Sequence, residues 1–154
     1  MNVIKLPAKP AIDFYEIDSS NPVNLPFVGN ISHGFPLPSD DYMDRLISLD
    51  EQLIKHPDAT IMGRVSGNSM RDAGLQEGDV LIIDRMLKVE NGEIGIFRID
   101  GEYLCKRLVL ADGRVELHPE NKRFKPMVFD ENCMPTDFMC VGRVTYIIKK
   151  VQKL

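Results

Sequence analysis

The chain of 154 residues has room for one domain with a core of its own. Apolar residues make up 44% and charged residues 27%, an ordinary globular balance. The formal net charge of −4 argues against a protein that coats nucleic acid, because phosphate binding needs a basic footprint; a local basic patch stays open.

Three cysteines, Cys105, Cys133 and Cys140, form no CxxC pair and have no histidines at zinc-ligand spacing. They read as small hydrophobes in strands, and neither a metal nor a cofactor is expected. The longest apolar runs, such as Val80–Ile83, are far too short to span a bilayer. With no leader-like segment, a reducing cytoplasmic compartment and no membrane attachment are expected.

In chain order, residues 1–39 hold Pro7, Pro10, Pro22, Pro26, Pro36 and Pro38, six of the ten prolines. Proline removes a donor and pushes the residue before it to extended geometry, so this stretch reads as an extended N-terminal arm. Residues 40–154 read as the folded domain. Its first element is a short helix, with Ser48 as N-cap and Glu51 three residues later in a capping box. Leu49, Leu53 and Ile54 supply an apolar face, Lys55 and His56 suit the C-terminal end, and Pro57 stops it.

From Thr60 the pattern changes to strands punctuated by turns, predicted at Thr60–Val65, Asp79–Asp84, Glu93–Asp100, Glu102–Ala111, Arg114–His118 and Phe138–Lys149. Glu77-Gly78-Asp79, Glu90-Asn91-Gly92, Asp100-Gly101 and Asp112-Gly113 supply turn chemistry, the last as the firmest hairpin. Many short strands indicate a mostly-β domain.

Ser66-Gly67-Asn68-Ser69-Met70 follows a strand and turns sharply. A nucleophilic serine needs such a turn, with free backbone N–H groups to hold an oxyanion. By itself the segment reads better as an ordinary loop, since Ser, Gly and Asn dominate loops. Lys106 changes the balance. Side chains alternate along Glu102–Ala111, so Lys106 shares a face with Leu104, Leu108 and Leu110. One reading is an edge lysine whose ammonium reaches water. The other is a general base: an ordinary lysine, near pKa of about 10.4, is charged at neutral pH, and apolar burial favours the neutral amine that could deprotonate Ser69.

The ordered runs His33-Gly34-Phe35-Pro36-Leu37-Pro38, Leu53-Ile54-Lys55-His56-Pro57, Ser66-Gly67-Asn68-Ser69-Met70, Gly78–Asp84, Gly101–Leu108 and Val115–Asn121 resemble the LexA/UmuD-type family of self-cleaving serine peptidases. The likeness covers roughly residues 29–150. It implies a mostly-β peptidase fold of short twisted sheets with one short helix, and a homodimer. It places the nucleophile at Ser69, the base at Lys106 and the oxyanion donors at the backbone N–H groups of Asn68 and Ser69. It further implies cleavage of the chain's own arm at His33–Gly34, prompted by a RecA–single-stranded DNA filament. The processed dimer would then assist a Y-family, UmuC-like translesion polymerase in SOS mutagenesis. One position departs from the family, which carries Ala or Cys where this chain has His33.

Three other functions compete. A repressor needs a DNA-reading domain, which the proline-rich arm does not supply, so no sequence-specific DNA binding is expected. A signal peptidase shares Ser–Lys chemistry but needs membrane attachment. A non-cleaving module that docks a polymerase is the remaining alternative.

Overall fold

The computed structural model describes residues 2–6, 12–18, 20, 23–27 and 45–151. Eleven strands are placed among them: β1 (Asn2–Leu6), β2 (Ile12–Asp18), β3 (Asn24–Phe27), β4 (Arg45–Ser48), β5 (Thr60–Val65), β6 (Val80–Asp84), β7 (Ile94–Ile99), β8 (Glu102–Ala111), β9 (Arg114–His118), β10 (Met127–Asp130) and β11 (Met139–Ile148). One α-helix, α1 (Leu49–Leu53), and two 3-10 turns, Pro57–Ala59 and Arg71–Ala73, complete the set. Nine strands form one antiparallel sheet in the order β1-β2-β5-β6-β11-β7-β8-β9-β10, and β3 pairs with β4 separately. The expected mostly-β class is what the chain adopts.

Turn chemistry sets the hairpins. Asp100 and Gly101 both have positive φ, as do Asp112 and Gly113, the backbone that matches the twist of flanking strands. The first of these turns joins β7 to β8. Its amides, Asp100 N and Gly101 N, donate to the Asp137 carboxylate at 3.0 and 2.8 Å. Those two bonds hold the Asp137 carboxyl below the usual carboxylate range.

The helix begins as its sequence suggests, with Ser48 Oγ accepting from Glu51 N at 3.0 Å. Its apolar face is smaller than expected. Leu49 is exposed, none of the helical residues is buried, and only Ile54, the C-cap, enters the interior. Five residues are too few to present a stripe to the core, so the helix serves as a corner.

A larger departure concerns the N-terminal stretch. Residues 12–18 are extended, as the prolines suggest, but they are built into the main sheet. They form an interior strand, paired with β1 on one side and β5 on the other. Period-two alternation explains this: Ile12 and Phe14 fall on one face and are buried. They join Ile61, Met70, Leu75, Leu81, Ile83 and Ile96 in the first of two hydrophobic clusters. The second cluster is built on Val89, Phe97, Ile99, Leu108 and Leu117. Strands β7 and β8 supply side chains to both, with Ile94, Ile96, Tyr103 and Cys105 to the first and Phe97, Ile99, Leu104 and Leu108 to the second. The strand that carries Lys106 is therefore packed on both faces.

Burying Ile12 and Phe14 contributes roughly 1.5–3 kcal/mol each. The Phe14 ring also meets Tyr103 of β8 edge to face, centroids 5.0 Å apart. Phe14→Ala should accordingly lower unfolding free energy by about 3 kcal/mol in urea titration. A loss below about 0.5 kcal/mol would show that β2 does not pack in the interior.

Candidate active site

The serine turn is built from the end of β5. Val65 N donates to Asp79 O at 2.9 Å and Gly78 N donates to Val65 O at 2.9 Å, closing the strand end against the loop that leads into β6. The chain then swings through Gly67 at φ +82. A Cβ there would meet nothing within 4 Å, so among the described residues glycine is required for its backbone angle and not for space. Met70 and Leu75, both buried, anchor the far side of the turn in the first cluster. Arg71 N donates to Asn68 O at 3.2 Å, which makes Asn68–Arg71 a tight turn with Ser69 in its second position.

Lys106 approaches from β8. Its Nζ donates to Ser69 Oγ at 2.9 Å, across 37 residues of sequence. The lysine is partly buried, and burial lowers its pKa from the ordinary value, with the Cys105 sulfur opposing that shift. The cross-strand partner of Lys106 is Gly95, which places no side chain beside it. Cys105, next in the chain, shows the same environment acting on an acid. Burial pushes its thiol up to about 12 against the pull of the Lys106 ammonium. An amine and a thiol are thus both driven toward their neutral forms, and the thiol is held inert as a nucleophile.

A shallow cleft of about 50 Å³ opens beside the serine, walled by Ile12, Val65, Met70, Leu75, Leu104 and Cys105. Mostly apolar walls suit a pair that works by losing charge. The described histidines are engaged elsewhere: His56 Nδ1 lies 2.6 Å from Asp84 Oδ2 and His118 Nε2 lies 2.6 Å from Glu116 Oε2. Among the described residues no group of His, Cys, Asp and Glu could hold a metal ion, and no helix is long and apolar enough to cross a membrane. His33 and Gly34 lie outside the described residues.

The loop after β9 has a role that its sequence does not advertise. Glu120 O accepts from Asp72 N at 2.7 Å, and buried Asn121 donates through Nδ2 to Asn68 O at 2.8 Å. Arg107, the neighbour of Lys106, holds the Glu120 carboxylate through Nε and donates from Nη1 to Gly92 O at 2.7 Å. One short segment thus ties the serine turn to the lysine strand. A trans peptide sets its C=O and N–H antiparallel, so fixing the Asn68 carbonyl also aims the Ser69 N–H the opposite way. Two bonds, from Arg71 and Asn121, do that fixing. Asn121 sits 53 residues from Asn68, and nothing in the local sequence marks it out from an ordinary turn residue. Ile12, also unforeseen at the site, carried its signal in the Ile12–Phe14 alternation.

Asn121→Ala leaves the Asn68 carbonyl with one partner fewer in a protected place. Urea denaturation should register a loss of about 1–3 kcal/mol. A change within about 0.5 kcal/mol would mean that the side chain does not brace the turn.

A family model described as Peptidase S24-like matches residues 26–145, more than three quarters of the chain. The match spans both Ser69 and Lys106, and the segment containing Asn121.

Proposed function

The chain belongs to the Peptidase S24-like family, and on that premise we propose that it is a UmuD-like self-cleaving serine peptidase in which Ser69 is the nucleophile, Lys106 the general base, and His33–Gly34 the bond cut. The observation that carries this reading is the 2.9 Å contact between Lys106 Nζ and Ser69 Oγ, made by a lysine whose charged form burial disfavours.

The steps follow from that contact. Once Lys106 has lost its extra proton, the hydrogen bond reverses and the Ser69 hydroxyl donates to the amine lone pair. Ser69 Oγ attacks the His33 carbonyl carbon as its proton passes to Nζ. The resulting oxyanion accepts from the backbone N–H groups of Asn68 and Ser69. Collapse breaks the C–N bond, and Lys106 returns the proton to the departing Gly34 amine. Water, deprotonated by Lys106 Nζ, then attacks the ester carbonyl, and the same proton passes to the departing Ser69 Oγ. Because the substrate is part of the same chain, its effective concentration is high and a deep binding pocket is unnecessary.

The wider setting rests on the sequence likeness alone. We place the reaction in the cytoplasm, where the free thiols of Cys105, Cys133 and Cys140 stay reduced. A RecA–single-stranded DNA filament would favour the arrangement in which the arm meets the serine, acting by population shift. The processed homodimer would assist a Y-family, UmuC-like polymerase in the SOS response. The second reading, a polymerase-docking module that is never cut, draws on His33, an imidazole where the family carries a small side chain.

Incubation of purified protein at alkaline pH separates the two. Self-cleavage should yield a fragment whose first residue is Gly34, and both Ser69→Ala and Lys106→Ala should stay intact. The rate should climb as pH rises and Lys106 sheds its proton, then level off above its lowered folded-state pKa. Cutting by either variant, or a flat rate from pH 6 to 10, would contradict the dyad.

A further inference from the structure

We infer that the N-terminal piece released by the cut does not leave: β2 stays in the sheet as a non-covalent strand, and the processed protein is a two-chain assembly. This rests on cleavage at His33–Gly34 as the event that makes the two pieces.

The grounds lie in how β2 is held. Of the two strands that flank β2, β1 belongs to the same piece and β5 to the larger one, so β5 is what holds it in the sheet. Five registered pairs join it to β5, from Ile12↔Val65 to Glu16↔Ile61. Residues on β5, β6, β7 and β8, all C-terminal to the cut, cover Ile12 and Phe14, which are 3% and 4% exposed. None of those contacts depends on the peptide that links the pieces.

Gly63 shows that the surface is shaped for this strand. A Cβ at Gly63 would come within 3.0 Å of Ile12 Cγ2, 3.1 Å of Ile83 Cδ1 and 3.7 Å of Phe14 Cδ1. The missing side chain is a notch that the Ile12–Phe14 pair fills. On the other face the Arg64 guanidinium lies over the Tyr15 ring, 6.0 Å from its centroid. Losing β2 would leave β5 with an unpaired edge and expose the first cluster, a surface prone to pairing with other chains. It would also remove Ile12, one wall of the cleft beside Ser69. Retention keeps β5 paired and the cleft walled.

The test uses the full chain carrying Ser69→Ala, with a recognition sequence for an added site-specific protease inserted between His33 and Gly34. Because the added enzyme makes the cut, the outcome does not depend on whether Ser69 can. After complete cutting, checked on a denaturing gel, native size exclusion with intact mass analysis should find both pieces in one peak at one-to-one ratio. Phe14→Asp in the same background should raise the dissociation constant of the two pieces at least about tenfold on dilution, equivalent to about 1.4 kcal/mol. Aggregation of the larger piece in that variant, with the smaller piece lost, also supports the proposal, because β2 then completes the core. Separation of the pieces in the parent chain at micromolar concentration overturns it, whether the larger piece stays folded or precipitates.

Discussion

An amine with restricted access to water, 2.9 Å from a serine hydroxyl, is the constraint around which the rest of the molecule is arranged. Water would keep that amine charged and useless as a base. Keeping water away requires that β8 be packed on both faces, which the sheet achieves by sharing β7 and β8 between two hydrophobic clusters. Holding the hydroxyl in place requires a turn that cannot drift. The turn is therefore gripped on one side by Met70 and Leu75 in the interior and on the other by Glu120 and Asn121.

Arg107 links these two requirements. Alternation along β8 sends its side chain opposite to Lys106, where it holds Glu120 and the Gly92 carbonyl. Movement of the serine turn relative to β8 would have to break that ion pair or the Asp72–Glu120 backbone bond. Cys105 lies in the same environment: the burial that lowers the lysine raises the thiol. A single electrostatic cause acting in opposite directions on an acid and a base is what a low-dielectric pocket produces.

Local signals were legible where they were strong. The Ser48–Glu51 cap, the Asp112-Gly113 hairpin and the strands β5, β8 and β9 stand where turn chemistry and alternation place them. The juxtaposition of Ser69 with Lys106 was suggested by a lysine on a leucine face and by the likeness to the family. Elsewhere proline density concealed a strand. Ile12-Asp13-Phe14 alternates, but Pro7, Pro10 and Pro22 around it suggested an extended arm, and only β5 and Gly63 reveal what it packs against. Strand β10 was missed because four residues after Pro126 give too short a period. Asn121 was invisible for a different reason, since its partner is set by tertiary structure and a side-chain-to-carbonyl bond leaves no periodic trace.

Direct titration of the Lys106 amine tests the central claim. Nitrogen-detected NMR of side-chain-labelled protein, with Lys106→Arg to assign the resonance, follows each lysine through its own proton loss. Lys106 should titrate clearly below the other lysines, and Ser69→Ala should leave it there because burial and not the hydroxyl sets the shift. A Lys106 that titrates with the surface lysines, near about 10.4, would contradict the account.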